Sequence, residues 1–205
     1  MTIDPTLAAY DDHLPDPTAD TDLPREREAF CALLPPGGRV LDLGCGSAWA
    51  ARRLRADGFR AVGLDRSVGR IGRASASLSS EGAPVPLILG DMRALPIASD
   101  SLDGVWACAS LLHLPKAELP GILAAIHGLL RPGGALFVSL KEGDGEAWQT
   151  RGAARRFFAY YQVDELDARL AEAGFCRGAA WRTVALASDP AHAWLGWLGV
   201  AEMLA

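Results

Sequence analysis

The stretch Arg39-Val40-Leu41-Asp42-Leu43-Gly44-Cys45-Gly46-Ser47-Ala48 decides how the rest of the chain is read. Val40, Leu41 and Leu43 make a short apolar run of the kind that forms a buried strand. Two glycines follow within three residues, and helical periodicity resumes over residues 47–57. The spacing predicts a strand turning sharply into a helix. Glycine at such a turn permits positive φ and leaves no Cβ between the backbone and a ligand. Taken alone the signal is open, because tight strand-to-helix turns also need glycine for packing.

Outward from this turn the pattern repeats. Residues 61–65, 86–89, 102–108 and 135–140 are further short apolar runs, and residues 68–79 and 116–130 between them carry helical periodicity, punctuated by Gly58, Gly82 and Pro132-Gly133-Gly134. Alternating strand and helix predicts a parallel sheet covered on both faces. A helix over residues 164–173 then leads to apolar runs at 175–186 and 193–200, which read as an antiparallel hairpin on the sheet edge. Upstream, residues 23–34 predict a helix stopped by Pro35-Pro36-Gly37-Gly38. The expected fold is α/β, a Rossmann-like, doubly wound and mostly parallel seven-stranded sheet with a C-terminal antiparallel hairpin. Residues 1–22, acidic and containing Pro15 and Pro17, are expected to be an irregular arm before one domain at residues 23–205. Residues 142–161 are expected to be the least regular part of that domain, an aromatic lid over the site.

Composition narrows the function. With 25 acidic and 20 basic residues the net charge is −5, which disfavours nucleic acid. Four scattered cysteines, Cys31, Cys45, Cys108 and Cys176, form no C-x-x-C pair, so no metal site is expected and a reducing, cytoplasmic setting fits. No apolar run is long enough for a membrane-spanning helix, and no leader pattern is expected at the start.

The chemistry is concentrated at the carboxyl ends of the strands, where open α/β sheets bind ligands. The second strand ends in Gly63-Leu64-Asp65, a carboxylate placed to hold a ribose diol. The third ends in Gly90-Asp91-Met92 and the fourth in Trp106-Ala107-Cys108. A dinucleotide turn would need a third glycine where Trp49 stands, so pyrophosphate is disfavoured; Asp42 before the turn suits a cationic amino group better than a phosphate. Asp91 is open to a second reading as a cap of its own turn.

With these motifs in order, joined by residues 102–114 ending in Leu112-His113-Leu114 and by Leu130-Arg131-Pro132-Gly133-Gly134, the chain resembles the class I S-adenosylmethionine-dependent methyltransferases, specifically the small bacterial domains of types 11 and 25. The resemblance implies S-adenosyl-L-methionine as cofactor and S-adenosyl-L-homocysteine as product. It further implies Asp42, Gly44 and Gly46 around the methionine part, with Cys45 contributing backbone. Asp65 would hold the ribose, Arg66 would lie along the adenine, and Asp91 and Met92 would meet the adenine edge. The Ala107 carbonyl would face the ammonium. Ala48 replaces a third glycine usual in the family, which implies a tighter pocket.

For the acceptor, His113 reads either as a general base or as a residue that packs beside the cofactor and orients it. Tyr160 is a candidate catalytic hydroxyl. Tyr10, Trp148, Arg155, Arg156 and Tyr161 are expected to bind substrate, with the arginines suited to an anionic group. The function expected is methyl transfer to an O, N or C atom of a small molecule. Two other readings stand beside it: methylation of a tRNA base, and a non-catalytic S-adenosylmethionine-binding protein.

Overall fold

The computed structural model describes residues 4–12, 23–78, 84–183 and 192–202. Its centre is a seven-stranded sheet in the order β3-β2-β1-β4-β5-β9-β8. Strands β1 (Arg39–Leu43), β2 (Arg60–Asp65), β3 (Leu87–Leu89), β4 (Leu102–Cys108) and β5 (Leu130–Lys141) run parallel; β9 (Trp194–Ala201) pairs antiparallel with β5, and β8 (Phe175–Thr183) with β9. The strand order reverses direction at β1 and β4, so a crevice opens at their carboxyl ends.

Alternation within the strands builds two cores. Leu41, Leu43, Val105, Ala107, Leu136, Val138 and Leu140 face one side, against α5 (Leu119–Leu129) and α6 (Val163–Glu172). Val40, Trp106, Ala135, Phe137 and Leu198 face the other, against α2 (Pro24–Ala32) and α3 (Trp49–Ala56). Trp106 stacks on Phe137 at 3.9 Å between ring centroids, and Phe30 of α2 meets the Trp106 edge. Burial on both faces is what makes these strands continuous apolar runs in sequence.

Two segments differ from the sequence expectation. Pro5–Asp12, expected to be irregular, forms a helix, α1, docked on α4 (Val68–Leu78). Its local signals are Asp4 as N-cap, whose Oδ1 accepts from the Thr6 amide at 2.8 Å, and proline at the first helical position. Residues 13–22 of the expected arm lie outside the described residues. Residues 142–161 are not irregular either: β6 (Glu146–Arg151) and β7 (Ala154–Ala159) pair as an antiparallel two-stranded ribbon. Gly152, at φ +60°, supplies the positive φ that its two-residue turn requires.

Candidate active site

The glycine turn is held from the neighbouring strand. The amides of Gly44 and Cys45 both donate to the Leu64 carbonyl, at 2.7 and 3.0 Å. Gly44 adopts φ +73°, and a Cβ there would stand 2.4 Å from the Ser110 Cβ. Glycine at 44 is thus demanded by both conformation and packing. Gly46, at φ +53°, is different: a Cβ there would meet nothing within 4 Å, so its face opens into the crevice. The Cys45 thiol turns away into the sheet against Gly63, where burial raises its pKa far above the usual thiol range. Only the Cys45 backbone is left at the turn.

Ala48, where the resemblance implies a third glycine, adopts the left-handed conformation at φ 58° as the N-cap of α3 and is fully buried. Ala109, just past β4, is also left-handed at φ 52°. Two of the three non-glycine residues with positive φ among the described residues therefore flank the same crevice, as strained backbone at ligand sites tends to do.

Asp65 at the tip of β2 is oriented by two backbone donors: Oδ2 accepts from the Gly46 amide at 2.9 Å and Oδ1 from the Ser67 amide at 2.8 Å. Each carboxylate oxygen keeps acceptor capacity for a further hydroxyl. Asp42 is placed otherwise. It is buried, and its Oδ2 accepts from the Ala51 amide at 3.0 Å in the first turn of α3, a helix terminus that holds one carboxylate oxygen. Burial pushes its pKa up to about 7, the Ala51 bond opposing and the Asp65 charge adding to the rise.

Around Asp65 the adenine-side candidates come together. Arg66 pairs with Asp4, which caps α1, and lies 3.5 Å from Asp91. Asp91 Oδ1 also accepts from the Arg93 amide at 3.0 Å, the turn-capping bond that was its second reading. Met92 is half-buried against the core, and Ala107 is fully buried beside Val138 of β5.

The acceptor side is built on His113, which closes a 3-10 turn at Leu111–His113. Its Nδ1 lies 2.7 Å from the Phe157 carbonyl, which can only accept, so Nδ1 carries the proton. Nε2 is then the acceptor for the Tyr10 hydroxyl at 2.6 Å. Burial depresses the His113 pKa to about 4, the Phe157 bond opposing and the Arg156 and Lys141 charges deepening the effect. The ring is neutral and both its nitrogens are engaged. Arg156 reaches the same Tyr10 oxygen at 3.3 Å and lies over Phe158, and Lys141, buried at the end of β5, puts its ammonium 3.9 Å from the centroid of that ring. Among the described residues no carboxylate pairs with Arg156.

Not every expected substrate residue arrives here. In the β6–β7 ribbon Arg156, Phe158 and Gln149 share the inner face, whereas Trp148, Arg155 and Phe157 share the outer one. Arg155 lies over the Trp148 ring at 4.6 Å, and both side chains face solvent. Tyr160 continues the inner face, its hydroxyl accepting from Gln149 Nε2 at 2.6 Å and its ring stacked on His192. Tyr161, one residue on, points the opposite way into the core, with Lys116 over its ring, and burial raises its pKa above the usual phenol range. The structure thus places Arg156 and Tyr160 on the inner face with Phe158, which packs on His113, Trp148 and Arg155 on the outer face of the ribbon, and Tyr161 in the core.

Sequence reasoning missed Ser110, Lys141 and Gln149. Ser110 is buried against Gly44, and its Oγ meets no partner among the described residues. An unsatisfied buried hydroxyl packed against the glycine turn is what a ligand with polar groups would complete. Its position three residues before His113 was the only local signal. Gly44, Gly46, Asp65 and Ser110 together fit a nucleoside-containing ligand with a polar tail.

Residues 40–134 match a family described as methyltransferase domain. The chain is 34% identical over 102 residues to sterol 24-C-methyltransferase ERG6B of Gibberella zeae, covering 48% of this chain and 26% of that protein. It is 30% identical over 136 residues to malonyl-[acyl-carrier protein] O-methyltransferase of Serratia marcescens, covering 64% of this chain and 51% of that one. It spans about half or less of these relatives' length. Its fold is shared with a crystal structure of the 1,6-didemethyltoxoflavin-N1-methyltransferase of Burkholderia thailandensis with bound 1,6-didemethyltoxoflavin and S-adenosylhomocysteine, at a TM-score of 0.74 and 22% identity over 90% of this chain and 79% of that one. Sheet order, glycine turn and sequence match converge: residues 40–134 are similar to the methyltransferase domain family, and the chain shares the fold of S-adenosylmethionine-dependent methyltransferases.

Proposed function

We propose that this chain transfers a methyl group from S-adenosylmethionine to a small-molecule acceptor. The observation that carries the reading is Asp65, presented by the Gly46 and Ser67 amides beside an open glycine turn. When bound, S-adenosylmethionine supplies a methyl group activated by a sulfonium. Asp65 would take the ribose hydroxyls, and the Gly44–Gly46 backbone, the Ala107 carbonyl and Ser110 the methionine part. Arg66, Asp91 and Met92 would frame the adenine, while Asp42 supports the turn from beneath. The relatives named for sterol and malonyl-carrier methylation favour a small acceptor over a tRNA base.

The protein's own contribution is alignment and exclusion of water, which methyl transfer needs more than proton chemistry. Phe158 and Tyr160 provide apolar walls. His113, neutral and held at both nitrogens, orients Tyr10 and does not act as a free base. Arg156 offers a guanidinium for a carboxylate or phosphate of the acceptor, which makes the acceptor anionic in this reading. Four unpaired cysteines support a cytoplasmic setting, and among the described residues no helix is long and apolar enough to cross a membrane.

Isothermal titration with S-adenosylhomocysteine tests the assignment. The wild type should bind, and Asp65→Ala should weaken binding by about 1.5 to 3 kcal/mol through loss of charge-assisted hydrogen bonds. Equal affinity in the two proteins would remove Asp65 from the site. A metabolite screen with labelled donor then identifies the acceptor.

A further inference from the structure

Helix α1 touches both halves of the site at once. At its carboxyl end Asp11 Oδ1 accepts from the Ser67 hydroxyl at 2.6 Å and from the Gly69 amide at 3.1 Å. The Ser67 amide is itself a donor to Asp65. One residue before Asp11, Tyr10 donates its phenolic proton to His113 on the acceptor side. A continuous hydrogen-bonded chain thus runs from Asp65 through Ser67 to Asp11, and α1 carries it on to Tyr10.

The seat on α4 is specific. A Cβ on Gly69 would stand 2.4 Å from the Asp11 carbonyl oxygen and 2.8 Å from its Cα, distances no real Cβ tolerates. Arg73 donates to the Tyr10 and Asp11 carbonyls at 2.7 and 3.2 Å, completing the end of α1, and Arg70 lies under the Tyr10 ring. At the other side Thr6 Oγ1 accepts from the Phe157 amide at 2.9 Å, fastening α1 to the free edge of β7. A helix of eight residues has no stability of its own in water. It is therefore ordered when docked and unfolded when not, a two-state element that contacts at both sites can bias.

We propose that Asp11 and Gly69 are positioning residues that couple the two halves of the site: engagement of Asp65 favours the docked α1, and docked α1 sets Tyr10 on His113 beside Arg156. This rests on the reading of Asp65 as the ribose-binding carboxylate. Coupling through a shared element is reciprocal, so loosening α1 weakens donor binding by the same factor that donor binding tightens α1. Neither residue need touch a ligand for this effect.

Hydrogen exchange of the α1 amides, followed by mass spectrometry with and without S-adenosylhomocysteine, tests the proposal on the full chain, alongside titration of the same probe. In the wild type the probe should slow exchange over residues 5–12 by roughly tenfold. In Gly69→Ala, α1 should exchange fast in both conditions while the β9 amides keep their protection, and affinity for the probe should fall by a similar factor. Asp11→Asn should show a smaller change in the same direction, and serves if Gly69→Ala does not fold. Binding of the probe to the wild type without any change in α1 exchange overturns the coupling and leaves the donor site standing. Wild-type α1 exchange in both variants overturns the seat on Gly69 and Asp11. Failure of the wild type to bind the probe overturns the donor reading and the coupling together.

Discussion

Asp42, buried, and His113, half-buried, are ionisable residues whose pKa values are shifted in opposite directions. Asp42 titrates near 3.8 when unfolded and about 7 when folded, so between those values the folded chain holds an extra proton and this group's contribution falls as pH rises. His113 titrates near 6.5 unfolded and about 4 folded, so its contribution is complete above 6.5 and is lost as pH falls toward 4. Between about pH 4 and 6.5 the two slopes cancel. Urea unfolding should therefore show little pH dependence from this pair in wild type, whereas Asp42→Asn should uncover the His113 slope and gain on the order of 2–4 kcal/mol relative to wild type between pH 4 and 8. A parallel pH profile for the two proteins would contradict the raised pKa of the buried Asp42. The His113 hydrogen bonds also define its tautomer. Long-range proton–nitrogen spectra at pH 7 should show a neutral ring with the proton on Nδ1, and a ring protonated on Nε2 would break the Tyr10 to His113 bond as drawn.

At the scale of elements, the β6–β7 ribbon separates two adjacent arginines. A period of two sends Arg156 inward to Tyr10 and Phe158 and Arg155 outward to Trp148. With an acceptor in hand, Arg156→Ala should lower acceptor kcat/KM by roughly tenfold or more, the size of one charged hydrogen bond, while Arg155→Ala stays within about threefold. Equal effects would return the ribbon to a general electrostatic role. The turn before α3 shows a second balance. Ala48→Gly relieves about 1 kcal/mol of left-handed strain, and gives back a similar amount through the lost buried methyl and the added freedom of the unfolded chain. Its urea midpoint should move little.

For the whole molecule, stability resides in the sheet's two apolar faces and the site lies at their carboxyl rim. Phe137 is fully buried between Trp106 and Trp181 on one face. Phe137→Ala should cost about 3–5 kcal/mol, a large share of the roughly 5–15 kcal/mol available to a domain, with the denaturant slope unchanged. A loss under 1 kcal/mol would mean that this face is not the core. The same architecture explains which features were legible in sequence. Strand, glycine turn and helix are written within about ten consecutive residues, through periodicity and turn chemistry, and a residue ending a strand such as Asp65 is carried to the crevice by the parallel topology itself. By itself the sequence determined the seven-stranded sheet, the edge hairpin, the glycine turn and Asp65 at the tip of β2. Tertiary structure alone decided that Tyr10 meets a histidine 103 positions away and Arg156 meets Tyr10 across 146. It also decided that Asp42 turns to α3, that Tyr160 and Tyr161 part to opposite faces, and that Pro5–Asp12 holds a helix whose capping signals are too weak to stand alone. The physical reason is common to all of these: a side chain's facing and an eight-residue helix's order are settled by contacts with distant segments, whose energies no local pattern contains.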